Sequence, residues 1–213
     1  MDKIEAILNH LIERYPVLEC SKNDICEAYT LLEKSYAKGG KLLVCGNGGS
    51  AADAEHIVGE LMKGFVKKRS LPESFQEKLK DIDNEKGSVL AEKLQGTLSA
   101  ISLNDSIGLS TAFLNDVDGQ LILAQEVNGY GNKEDVFLGI STSGNSANIN
   151  YAAITAKAKG LKVIALTGKD GGELKKWADV AIIVNEKETY KIQELHLPVY
   201  HALCLMLEER FFG

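Results

Sequence analysis

The chain has 213 residues, 25% of them charged and 45% apolar, with a formal net charge of -6. This is the composition of one α/β domain with its own hydrophobic core. The acidic balance argues against nucleic acid or anionic lipid as a partner, so any phosphate must be held by local groups. No apolar run approaches the ~20 residues needed to span a bilayer. The opening MDKIEAILNH is too acidic for a signal peptide, so a cytoplasmic location is expected.

In chain order, Ile4, Ile7, Leu8, Leu11 and Tyr15 form a first helical stripe. Ile25, Ala28, Tyr29, Leu32 and Tyr36 form a second, and Gly39–Gly40 stops it, giving N-terminal helices over 1–38. KLLVCG (41–46) then reads as a buried strand. Further strands are expected at SAISL (99–103), DVFLGIS (135–141), LKVIALTG (161–168) and DVAIIVN (179–185), with helical segments between them. That alternation predicts a single domain over 1–213, with a five-stranded parallel sheet covered by helices on both faces. A last helix over about 189–211 should be bent by Pro198. Residues 66–97 are polar and long for a βα connection, and read as a helical insertion near the site or at a subunit contact. Within them Lys67, Lys68 and Arg69 read as solvated surface rather than a phosphate contact. Cys20, Cys26, Cys45 and Cys204 show no metal-site spacing and read as buried free thiols.

Two glycine-rich turns each follow a strand and precede a helix. In CGNGGSAADAEH (45–56), Asn47, Gly48 and Gly49 allow close approach of the backbone to a ligand, and Ser50 with Asp53 fits a capping box. GISTSGNSANI (139–149) offers hydroxyls at Ser141, Thr142, Ser143 and Ser146 around Gly144. Either loop alone is equally well a tight turn with a capped helix. Together they favour an anion site at the carboxyl edge of the sheet. Neither is a Walker motif or a dinucleotide fingerprint.

His56 and Glu60, four apart, share one helical face, as an ion pair or as a metal or acid–base pair. Gln193, His196 and His201 lie on the last helix, and Asn115–Asp116 lie in a loop-like stretch, FLNDVDG. The motifs GNGGSAADAEH, the ND of LNDVDG, GISTSGNSANI, and IQELH followed by YH together resemble the SIS-family phosphoheptose isomerases over nearly the whole chain.

The resemblance implies a flavodoxin-like three-layer αβα sandwich assembled as a homotetramer, with sites between subunits. It implies isomerisation of sedoheptulose 7-phosphate to D-glycero-D-manno-heptose 7-phosphate. By motif, Asn47, Gly48, Gly49 and Ser50 would contact substrate, together with Glu60 and Gln193. Ser141, Thr142, Ser143 and Ser146 would hold the phosphate, and Asn115 and Asp116 the sugar. His56, Glu60, Gln193 and His201 would bind one Zn2+ per subunit, with Glu60 and His201 doubling as the acid–base pair; another divalent metal fits the same donors. Tyr190, where relatives often carry an acid, and the long 66–97 segment are departures. Two alternatives share the fold: an isomerase of another sugar phosphate, and a non-catalytic regulator that binds the replication initiator DnaA. The latter carries asparagine at the position of His201.

Overall fold

A computed structural model describes residues 3–213. Two helices, α1 (Lys3–Arg14) and α2 (Lys22–Ala37), precede the first strand, as their apolar stripes predict. Five short strands follow: β1 (Leu42–Cys45), β2 (Ala100–Ser102), β3 (Val136–Ser141), β4 (Lys162–Thr167) and β5 (Val180–Ile183). All pair in parallel, in the order β2-β1-β3-β4-β5. The chain leaves β1 to one side and returns to place β3 on its other side, with Leu42 opposite both Ala100 and Val136. That reversal opens a crevice at the carboxyl ends of β1 and β3, where this class of sheet binds ligands.

Alternation along the strands divides the core in two. Leu42, Val44, Leu138, Ile140, Ile164 and Leu166 face one side, packing with α1, α2, α3 (Gly49–Met62) and α9 (Thr189–Phe212). Leu43, Cys45, Phe137, Val163 and Ala165 face the other, against α7 (Ile122–Tyr130) and α8 (Ala147–Ala158). The expected three-layer sandwich is formed.

The 66–97 stretch contains a helical hairpin, α4 (Glu73–Ile82) and α5 (Asn84–Lys93). Asp83 makes the corner by accepting from the N–H groups of Glu85 and Lys86. α4 buries no residue, and α5 buries only Gly87 and Ala91.

Three expectations need correction. Cys45 and Cys204 are buried thiols, but Cys20 and Cys26 are exposed. Arg69 is not solvated surface: it is 1% exposed, and Lys67 pairs with Glu209. Asn115 and Asp116 are not in a loop; they end α6 (Ile107–Asp116), a helix that buries nothing. The last helix forms as expected: α9 runs through Pro198 as one element, packed on α1, α2 and α3.

Candidate active site

The first glycine loop turns at Gly48 (φ +56°), a conformation that favours glycine, and α3 begins at the next residue. The expected capping box does not form. Ser50 is inside the first turn and only 3% exposed, while Asn47, Gly48 and Gly49 are exposed. Asn104, just past β2, anchors the loop. It accepts from Gly46 N–H (3.2 Å) and returns its amide to the Gly46 carbonyl (2.9 Å). Its position at the carboxyl end of a strand was the available signal for this residue, and sequence reasoning missed it.

The second loop is tied to the first by reciprocal amide bonds between Asn47 and Asn148, both 2.9 Å. Gly144 (φ +69°) packs so closely on the Gly171 carbonyl that a side chain has no room there. Ser141 and Ser146 hydroxyls lie 3.1 Å apart, and Ser143 Oγ accepts from Asn145 N–H (3.2 Å). The N-cap residue Ser146 makes no side-chain cap, and Asn148 Oδ1 takes the Ile149 N–H (3.0 Å), so the loop hydroxyls and the remaining first-turn N–H groups are the donors an anion could use. Thr142 and Ser143 are half-buried.

Helices α3 and α9 bring the remaining groups together. Any side chain at position 49 would sit 2.7 Å from Gln193 Nε2, so Gly49 is what lets that amide lie against the start of α3. Further along, Tyr200 O–H donates to Asp53 (3.2 Å) and stands 3.0 Å from His56 Nδ1. The hydroxyl has one proton, so with that proton on Asp53 it accepts from Nδ1–H. In neutral His56 the Nε2 lone pair then faces Glu60 Oε1 at 3.4 Å. Two lone pairs at that distance are favourable only with a proton or a cation between them. His201 adds a third donor: its ring centre is 5.1 Å from that of His56, and its Nε2 is buried without a partner. Burial, with the nearby His56, holds the His201 imidazole below its ordinary value against the pull of Glu60. Lys63 pairs with the other Glu60 oxygen at 3.2 Å.

The donor set therefore fits a divalent cation in type and in its orphaned lone pairs. The side chains as placed are not closed around one point: among the described residues, no three His, Cys, Asp or Glu groups form a ready metal cluster. Asp53 and Tyr200, 147 residues apart, were missed as orienting groups because each has a sufficient local explanation, as a helix-start acid and a core aromatic. His196 is fully buried, and burial pushes its imidazole down to about 4, so it is a neutral core group. Asn115 and Asp116 lie at the end of α6. They are exposed, and the Asn115 amide donates to Asp116 (2.8 Å).

Comparison with known proteins agrees with the fold. The SIS domain family model matches residues 3–76 and 89–168; the interval between the two matches falls in the α4–α5 hairpin, and 169–213 lie beyond them. Phosphoheptose isomerase of Helicobacter pylori (strain P12) is 38% identical over 194 residues, covering 91% of this chain and 88% of that one. The phosphoheptose isomerase of Geobacter sp. (strain M21) is 35% identical over 214 residues, covering 100% and 97%. Among solved structures, a phosphoheptose isomerase from Francisella tularensis superposes with a TM-score of 0.75 at 30% identity, covering 98% of this chain and 97% of that one. Phosphoheptose isomerase GmhA from Neisseria gonorrhoeae gives a TM-score of 0.72, also at 30% identity, covering 96% and 98%. The chain belongs to the SIS-domain family and, within it, to the phosphoheptose isomerases, a family of enzymes.

Proposed function

We propose that this protein interconverts sedoheptulose 7-phosphate and D-glycero-D-manno-heptose 7-phosphate. The observation that carries this reading is the meeting of His56, Glu60 and His201 on α3 and α9, in a chain whose relatives are named phosphoheptose isomerases. The hydroxyls of Ser141, Thr142, Ser143 and Ser146 would hold the phosphate at the start of α8, far from the reacting carbons, and so align them. Asn47, Gly48 and Gly49 would line the substrate beside them. The exposed position of Asn115 and Asp116 suits a sugar contact made from a neighbouring copy.

Ketose-to-aldose isomerisation breaks a C1–H bond and makes a C2–H bond, while a hydroxyl proton moves from O1 to O2 through an ene-diolate. Glu60 and His201 would serve as the acid–base pair for these transfers. The Glu60 side chain is only 13% exposed and is paired with Lys63, and an imidazole such as that of His201 can take and return a proton near neutrality. His56, Glu60, Gln193 and His201 would hold a divalent cation, zinc by their N/O donors, which as a Lewis acid would stabilise the developing oxyanion. Asp53 and Tyr200 would keep His56 in the tautomer that leaves Nε2 free.

The test is turnover of sedoheptulose 7-phosphate beside a panel of hexose, pentose and aminosugar phosphates, with divalent metal supplied. Preference for the heptose is expected. A protein inert on the whole panel overturns the isomerase reading, and preference for another sugar corrects the substrate.

A further inference from the structure

Arg69 and Glu208 form a fully buried ion pair, Nε to Oε1 2.9 Å, with side-chain exposures of 0% and 1%. Stability alone does not explain it, because a well-packed apolar pair usually serves a core as well. Its other contacts are specific. Arg69 Nη1 donates to the Leu61 carbonyl (2.7 Å) and Nη2 to the Glu60 carbonyl (3.0 Å). These carbonyls lie in the last turn of α3, where no intrahelical donor reaches them. Glu208 in turn accepts from the N–H groups of Phe65 (2.8 Å), Val66 (2.9 Å) and Lys67 (3.2 Å). The Phe65 ring is thereby set against His201, with ring centres 5.3 Å apart.

We infer that Arg69 and Glu208 are positioning residues for the isomerase reaction, bracing Glu60 through its carbonyl and His201 through Phe65. The pair touches no reacting atom, and the inference rests on the isomerase reading above. Only a planar fork can reach one carboxylate and two successive carbonyls, so lysine should not replace Arg69. The phosphate loop makes no contact with the pair, so substrate capture should be spared.

The experiment compares the metal-loaded parent with Arg69→Lys in steady-state turnover of sedoheptulose 7-phosphate. Native mass, thermal melting and histidine-ring NMR are recorded on the same samples. The expected result is a kcat lower by about 10- to 100-fold, as for a small misplacement of reacting groups, with KM within about threefold. The His201 ring signals should shift while the mass is unchanged. If Arg69→Lys does not fold, Arg69→Gln with Glu208→Gln replaces it, since that double variant leaves no unpaired charge buried. Parent-like kcat per folded molecule with unmoved His201 signals, even with a lower melting temperature, overturns the inference and leaves the pair purely structural. An inactive parent overturns the isomerase reading itself, and the positioning role with it, and this outcome is visible before any variant is made.

Discussion

His201 sits among three rings, those of His56, Tyr200 and Phe65, with its Nε2 buried and unpartnered. Asparagine keeps comparable size and some hydrogen bonding but cannot carry a proton. His201→Asn should therefore fold and still bind inorganic phosphate, while kcat falls by about 10²–10⁴-fold, the usual loss for a general acid–base group. Turnover with thermal melting as the control checks this, and near-parent turnover removes His201 from the proton path. The pairing of His56 with Glu60 was legible in the sequence because a four-residue spacing is local. The Asp53–Tyr200–His56 relay was not, because it crosses between helices that meet only in the folded chain. Arg69 was misread for a related reason: two neighbouring lysines suggest a solvated run, and nothing local announces a carboxylate 139 residues away.

Among the elements, the start of α8, where Ser146 makes no side-chain cap, is the proposed phosphate site. Replacing Ser143 and Ser146 together by Ala should weaken substrate binding by roughly 1.5–3 kcal/mol for each charge-assisted bond lost. Inorganic phosphate should then compete far less well than in the parent, and equal inhibition of both proteins would place the phosphate elsewhere. Edge strand β5 is fastened by Asp179, which accepts from Val163 N–H (2.9 Å), Lys162 (3.1 Å) and Lys157 (3.2 Å). Partial burial opposes ionisation of Asp179, but these donors outweigh it and hold the carboxyl below its ordinary value. A folded-state value below the unfolded one gives stability that is present above the unfolded value and lost as pH falls through the folded one. Asp179→Asn should accordingly cost stability near neutrality and converge with the parent in strong acid, as read by urea unfolding from pH 7 downward. A constant difference across that range contradicts the assignment. All five strands were legible as short apolar runs, since a parallel sheet buried on both faces needs them. The end of α6 was not, because a helix that buries nothing shows no stripe to mark it.

At the scale of the whole molecule, α6 and the turn after it leave Ile107, Leu114 and Val117 at 78%, 66% and 62% exposure. Apolar side chains so placed are costly in water and suit a contact between copies. We propose the homotetramer, with a native mass four times the 23.2 kDa of the chain by light scattering. Leu114→Lys with Val117→Lys should lower that mass and reduce turnover together, if sites are shared between copies. An unchanged mass would put the contact elsewhere. Helix α9 adds a constraint that belongs to no single site. Gln193, His201 and Glu208 stand on it eight and seven residues apart, so the proposed substrate group, the proposed proton carrier and the brace behind the latter share one rod. Inserting one residue between Gln193 and Glu208 turns everything beyond it by about 100°. A substitution along α9 changes one contact, whereas a change in its length breaks the alignment of all three groups at once. The tolerant places for gained or lost residues are loops such as the α4–α5 corner, and descent should leave the length of this rod fixed while its faces vary.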